Sequence, residues 1–349
     1  MTKSTRREKL AFDDPQALQA LCGSNNARLK LIERTAGAQV HLRGNEVTIE
    51  GEDAAVETVK TALEQLYDLA LAGKALSSDD VVRAVKLLQG DSGGASIQGV
   101  FGETILTPRT GRAIGPKGAQ QKAYVDLVRG NDIVFAIGPA GTGKTYLAVA
   151  LAVRALLDKQ VRKIILTRPA IEAGEKLGFL PGTLQEKIDP YLRPLNDALA
   201  DMMEADKLEK LVIDGTVEIA PLAYMRGRTL SDAFIILDEA QNTTPEQMKM
   251  FLTRMGFGSK MVITGDITQT DLPRGARSGL RDALELIEGI RGIGTVTFTD
   301  ADVVRHPLVA ALIRAYDTRD RGRFEARERG PVPVPNLDKA DPDKAVGID

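Results

Sequence analysis

Tryptophan is absent from the chain, cysteine occurs once, as Cys22, and histidine twice, as His41 and His306. A single cysteine excludes an internal disulfide and a cysteine-built zinc site. Two histidines this far apart argue against a histidine-built metal centre. No apolar run is long enough to span a bilayer, so no membrane segment is expected. The segment from Met1 to Lys9 is charged and lacks the apolar core of a signal peptide. Excess charge is missing as well. A net charge of -2 exerts no overall pull toward nucleic acid or membrane, and any basic surface has to be local. These absences predict a soluble, cytoplasmic chain. With 349 residues, 43% of them hydrophobic, it can bury a sizeable core in two or three domains.

What is present centres on Gly138-Pro139-Ala140-Gly141-Thr142-Gly143-Lys144-Thr145, which fits the phosphate-loop pattern G-x-x-x-x-G-K-[ST]. The apolar run 133–137 before it reads as a buried strand, and the alanine- and leucine-rich stretch 146–157 after it as a helix. In that context the glycines let backbone N–H groups turn inward around a polyphosphate, and the helix N-terminus adds a positive dipole end. Lys144 is expected on the β- and γ-phosphates and the Thr145 hydroxyl on Mg²⁺. A second motif, Phe234-Ile235-Ile236-Leu237-Asp238-Glu239-Ala240-Gln241, is a buried strand that delivers two carboxylates. Asp238 suits Mg²⁺ held through water, and Glu239 suits a base that orients water toward a γ-phosphate. A third, Ile263-Thr264-Gly265-Asp266-Ile267-Thr268-Gln269-Thr270-Asp271-Leu272-Pro273, ends another strand. Its Gln269 can donate and accept hydrogen bonds, as sensing of a γ-phosphate or its attacking water requires, although a polar turn at a sheet edge has the same composition.

Around these motifs the chain divides into residues 1–75, a connecting region 76–117, a second domain 118–318 and a tail 319–349. In the first part, 15–22 and 27–36 read as helices, 39–43 and 46–50 as a strand pair about Gly44-Asn45, and 54–72 as a long helix. In the connecting region a helix is expected over 78–88. In the second domain strands are expected at 162–166, 234–237, 260–264 and 295–298. Helices are expected at 244–255 and 277–290, and over 181–203 with interruptions at Pro190 and Pro194. Strand–helix alternation of this kind predicts a parallel sheet with helices on both faces. Thr244-Pro245-Glu246-Gln247 is a capping box. The Arg- and Pro-rich tail has few apolar residues and is expected to stay disordered.

The front end resembles a KH RNA-binding module. The resemblance rests on Cys22-Gly23-Ser24-Asn25-Asn26 between two helices, then Ile32 with Gly37-Ala38 and Val40, and Val47-Thr48-Ile49 with Gly51. Asn26 stands where such modules carry the second glycine of their G-x-x-G clamp. RNA contact and a scaffold of the same shape are both open for this region. The three motifs of the second domain resemble the first ATPase domain of superfamily-one helicases. More closely, the chain is identified as a member of the PhoH family. That match rests on 138–150, on 167–182 from Thr167-Arg168-Pro169 to Leu180-Pro181-Gly182, and on Asp189-Pro190-Tyr191-Leu192-Arg193-Pro194-Leu195. It also rests on 220–230 from Ala220-Pro221-Leu222 to Arg228-Thr229-Leu230, and on the two acidic motifs.

The resemblance implies an α/β fold, a RecA-like P-loop NTPase domain behind a small α+β KH-like domain. It implies Mg²⁺-dependent ATP hydrolysis coupled to RNA remodelling or unwinding. It implies that Gln121 recognises adenine and that Arg305 faces the γ-phosphate. Arg168, Glu172, Tyr224, Arg226 and Arg228 become candidates for nucleic-acid contact, with a structural ion-pair cluster as the other reading. No counterpart of a helicase's second ATPase-like domain is expected, since a short tail follows Tyr316. A homo-oligomeric ring supplying an arginine in trans is therefore expected, with Arg274 and Arg277 as candidates. The family also implies links to phosphate starvation and to a ribosome-maturation endoribonuclease as partner. Two other classes are open: a nucleotide-switched binding factor with slow hydrolysis, and a small-molecule kinase.

Overall fold

The computed structural model describes residues 5–90, 96–108, 111, 113–169, 184–273, 275–303, 312 and 319. Through Val303 they belong to one compact unit; a second unit, Val304–Asp349, falls almost wholly outside them, as does the tail expected to be disordered.

The chain opens with a three-stranded antiparallel sheet, β1 (Thr5–Ala11), β2 (Gln39–Arg43) and β3 (Glu46–Glu52), in the order β1-β3-β2. Between β1 and β2 run α1 (Pro15–Cys22) and α2 (Ala27–Ala36). Asp14 caps α1 by accepting from the N–H groups of Gln16 and Ala17, both at 2.8 Å, and Pro15 takes a first-turn position where no donor is needed. The expected β2–β3 hairpin turns at Gly44, whose φ of 65° is left-handed. The apolar stripe Val56, Val59, Leu63 and Leu66 of α3 (Asp53–Leu71) is fully buried. The same core takes in α4 (Ser78–Gln89) and α5 (Ile97–Phe101), through Val81, Val85, Ile97 and Phe101. β1 was not expected. Its sequence, Thr-Arg-Arg-Glu-Lys-Leu-Ala, has no apolar run and becomes a strand by pairing with β3.

The larger sheet holds β4 (Ile133–Ile137), β5 (Lys163–Arg168), β6 (Val217–Pro221), β7 (Ala233–Leu237), β8 (Lys260–Gly265) and β9 (Ile293–Thr297). All are parallel, in the order β6-β5-β7-β8-β4-β9. The predicted parallel sheet is therefore present. Alternate strand residues feed two cores. Val134, Ile164, Leu166, Phe234, Ile236 and Val262 share one with α6 (Ala119–Gly130), α7 (Lys144–Leu157) and α8 (Leu184–Met202). Phe135, Ile165, Ile235, Leu237, Met261 and Ile263 share the other with α10 (Pro245–Leu252) and α11 (Gly279–Leu286). Burial on both faces is why these strands read as unbroken apolar runs.

Two expectations are corrected. Pro190 and Pro194 do not interrupt α8, which runs through both. Each removes one helical N–H, yet Leu192, Leu195, Leu199 and Met202 are buried on a helix packed against α7 and β6. Their burial outweighs the missing donors. α11 ends at Leu286, short of the expected 290. Also unforeseen are α9 (Ala205–Ile213), although Leu208, Leu211 and Val212 stand at helical spacing, and β6, which at five residues is too short to announce a period. Among the described residues no helix is long and apolar enough to cross a membrane.

Candidate nucleotide site

The strand order places the site. β8 lies between β4 and β7, so the ends of the glycine-loop strand and the acidic strand flank the Thr264-Gly265-Asp266 end. Ile137 is level with Gly265 and Leu237 with Ile263. The loop leaves β4 at Gly138, whose φ is 143°, where a side chain would run into the Phe298 carbonyl; only glycine fits. It re-enters helix at Gly143, φ 83°, directly against Gln121. Gly138, Pro139, Ala140, Gly141, Thr142 and Gly143 thus form one turn ahead of Lys144 and Thr145 at the start of α7.

Lys144 is folded onto its own loop. Its Nζ donates to the Gly138 carbonyl at 2.6 Å, to the Pro139 carbonyl at 2.8 Å and to Thr142 Oγ1 at 3.2 Å. Burial lowers its pKa, while Asp266, Asp238 and Glu239 act in the opposite sense. Beneath it the Thr145 hydroxyl donates to Asp238 Oδ1 at 2.6 Å, and the Thr264 hydroxyl donates to the same oxygen at 2.7 Å. Tyr124 Oη donates to the Lys144 carbonyl at 3.2 Å, and burial pushes the phenol's pKa far up. Gln121, on α6, donates to the Thr142 carbonyl at 2.8 Å and accepts from the Lys117 N–H at 2.7 Å. Its amide keeps one N–H and one lone pair for a ligand.

Asp266 accepts from Thr268 through Oδ1, but its Oδ2 is buried without a partner, as is Thr167 Oγ1. A buried orphan acceptor costs roughly 1–3 kcal/mol and is tolerated where a ligand completes the site. Oxygen donors of this kind fit Mg²⁺. Among the described residues no three Asp, Glu, His or Cys side chains converge on one point, which suits an ion bound by one or two carboxylates plus substrate phosphates rather than by a protein cage.

Glu239 follows Asp238 in a left-handed conformation, φ 52° and ψ 41°, strained for a non-glycine residue and common at functional sites. Its Oε2 accepts from Gln241 Nε2 at 2.5 Å, and its Oε1 lies 3.3 Å from Arg168 Nη2. Gln241 in turn accepts from the Asp266 N–H at 3.0 Å. Arg168, at the end of β5, also donates to the Tyr191 carbonyl on α8 at 3.2 Å.

The glycine loop, Gln121, Asp238 and Glu239 therefore lie together around the ends of β4 and β7. Gln269 lies on the exposed turn beyond β8, its N–H bonded to the Asp266 carbonyl at 3.2 Å. Arg168 sits on Glu239, Arg228 is paired to both carboxylate oxygens of Glu218 at 2.5 and 2.7 Å, and Arg277 is paired with Asp282 and Glu285. Tyr224 and Arg226 are exposed. Glu172, Arg274 and Arg305 lie outside the described residues. Sequence reasoning missed Thr264 and Gln241. Both stand inside motifs that were read, but their roles depend on strand neighbours far away in the chain.

A parallel sheet with a glycine loop into a helix N-terminus and an acidic strand end two strands away defines a P-loop NTPase. The family model described as PhoH-like protein matches residues 113–317, and the chain belongs to the PhoH family. A PhoH-like protein of Mycobacterium tuberculosis (strain ATCC 25618 / H37Rv) is 57% identical over 302 residues, covering 86% of this chain and 85% of the relative. The PhoH-like protein of Bacillus subtilis (strain 168) is 51% identical over 320 residues, 92% of this chain and all of the relative (100%). Protein PhoH of Escherichia coli (strain K12) is 47% identical over 219 residues, 61% of this chain and 62% of the relative.

Proposed function

We propose that this chain hydrolyses ATP in a Mg²⁺-dependent reaction and couples hydrolysis to RNA remodelling. The observation that carries the reading is the meeting of Thr145 and Asp238 at 2.6 Å under the glycine loop, with Glu239 next in the chain. On nucleotide binding, Lys144 exchanges the Gly138 and Pro139 carbonyls for β- and γ-phosphate oxygens, and the loop's N–H groups hold the remaining phosphate charge. Gln121 offers its remaining N–H and lone pair to adenine. Thr145 and Asp238 would hold Mg²⁺, whose charge offsets that on the phosphate oxygens. Glu239 orients a water and takes its proton as the water oxygen bonds to the γ-phosphorus. The bond from that phosphorus to the β–γ bridging oxygen breaks, giving ADP and phosphate. Gln269 hydrogen-bonds the water or the γ-phosphate, and Arg305 completes the charge around it.

Support for RNA comes from Tyr224 and Arg226, an exposed aromatic beside an exposed cation just beyond β6. That pairing suits base stacking and phosphate contact. The KH-like reading of residues 1–75 is consistent with the β-α-α-β-β-α order there. The test is phosphate release from ATP with Mg²⁺, with and without single-stranded RNA, for the native chain, Lys144→Ala and Glu239→Gln. Release that RNA stimulates and both substitutions abolish is expected. Release that persists in Glu239→Gln would remove Glu239 from the chemistry.

A further inference from the structure

Resting on the hydrolysis reading, we propose that Arg168 is a restraint on Glu239. It holds the carboxylate in an ion pair that keeps ATP hydrolysis slow, and it releases the carboxylate when a phosphodiester strand at the same sheet edge takes the guanidinium.

Both oxygens of Glu239 are engaged. Arg168 Nη2 lies 3.3 Å from Oε1, and Gln241 Nε2 donates to Oε2 at 2.5 Å. Each oxygen keeps a lone pair, but contacts on both sides fix the direction of the carboxylate, which has to leave one partner to turn toward an attacking water. Gln241 is bonded onward to the Asp266 N–H at 3.0 Å and belongs to the frame of the site. Arg168 is the partner that can leave. Among the described residues its second nitrogen reaches a backbone carbonyl, that of Tyr191 at 3.2 Å, and its side chain is 22% exposed. A guanidinium accepts a phosphate in the same forked geometry as a carboxylate, so the exchange keeps its charge paired.

The ligand's chemistry follows from the neighbours. Arg168 is level with Pro221 at the ends of β5 and β6. From Pro221 the chain turns directly into the stretch that exposes Tyr224 and Arg226. A single strand that stacks a base on Tyr224 and lays a phosphate on Arg226 would have a further phosphate available to Arg168. Arg228 does not share this role, because Glu218 holds it at 2.5 and 2.7 Å.

The experiment measures steady-state phosphate release by the native full-length chain, Arg168→Ala, Arg168→Lys and Arg168→Ala with Glu239→Gln. Each is assayed with and without a single-stranded RNA oligonucleotide, and ATP affinity is read separately with a fluorescent analogue. Arg168→Ala should raise basal kcat about fivefold, as expected for losing one partly exposed ion pair. KM for ATP should be unchanged and further stimulation by RNA lost. Arg168→Lys, which keeps the charge without the fork, should fall between, and the double variant should be inactive. A merely structural role would instead lower kcat or ATP affinity in Arg168→Ala. Native release with no rise in Arg168→Ala overturns this proposal and leaves the hydrolysis reading standing. No Lys144-dependent release from any form overturns both. A raised basal rate in Arg168→Ala beside a native chain indifferent to RNA overturns the phosphodiester as the releasing ligand.

Discussion

Lys144 shows how a single side chain reports on its surroundings. It is buried, and its ammonium is held by loop carbonyls with three carboxylates nearby. Burial is the larger effect, so its pKa in the folded chain lies below the ordinary 10.5. Two consequences have opposite signs. Between the lowered pKa and 10.5 the unfolded chain binds the proton more tightly, so this residue's contribution to stability rises with pH through that window. The charge that grips phosphate is lost as pH climbs through the lowered pKa. Affinity for a fluorescent ATP analogue should therefore fall on the alkaline side before the ordinary lysine range is reached, without loss of folded protein. An affinity flat up to that range would contradict it. At this scale much was legible in the sequence. Gly138, Gly143, Lys144 and Thr145 act within one contiguous loop, and their spacing is their geometry. Arg168 was legible only as a cation, because its partner Glu239 is two elements of sheet away in the chain.

Among the elements, α10 was the most readable. The structure shows both halves of its capping box: the Gln247 N–H donates to Thr244 Oγ1 at 3.3 Å, and the Thr244 N–H to Gln247 Oε1 at 3.0 Å. Thr244→Ala should cost about 1 kcal/mol in urea unfolding. ATP affinity should hold, since α10 packs against α11 and away from the glycine loop. α8 shows the opposite case. Its two prolines argue locally for a break, and its packing against α7, β6 and β5 keeps it one helix. β1 is a strand for a similar reason, its charged sequence recruited by the edge of β3. Local pattern decides an element where caps and period agree; packing decides it where they conflict.

For the whole molecule, a net charge of -2 means that any RNA affinity has to come from a patch. Tyr224 and Arg226, both exposed, are the proposed patch. Replacing both by alanine should weaken binding of single-stranded RNA and reduce its salt dependence, with the melting temperature unchanged. Arg228→Ala should do the reverse. It breaks the paired contact with Glu218 and costs about 1 kcal/mol of stability, while RNA affinity is retained. If Arg228→Ala weakened RNA binding as much as the double substitution, the division between patch and ion pair would fail.

By itself the sequence determined the alternation of apolar strands and helices, the glycine loop, and the residues at the ends of β4, β7 and β8. Each is written in consecutive residues, where chain geometry leaves little freedom. Only the tertiary structure decided that β8 stands between β4 and β7, that Thr264 joins Thr145 on Asp238, and that Arg168 closes on Glu239. Parallel strands are joined by long crossovers, so which strand ends become neighbours is settled by how the helices pack on the sheet, and no local spacing records it.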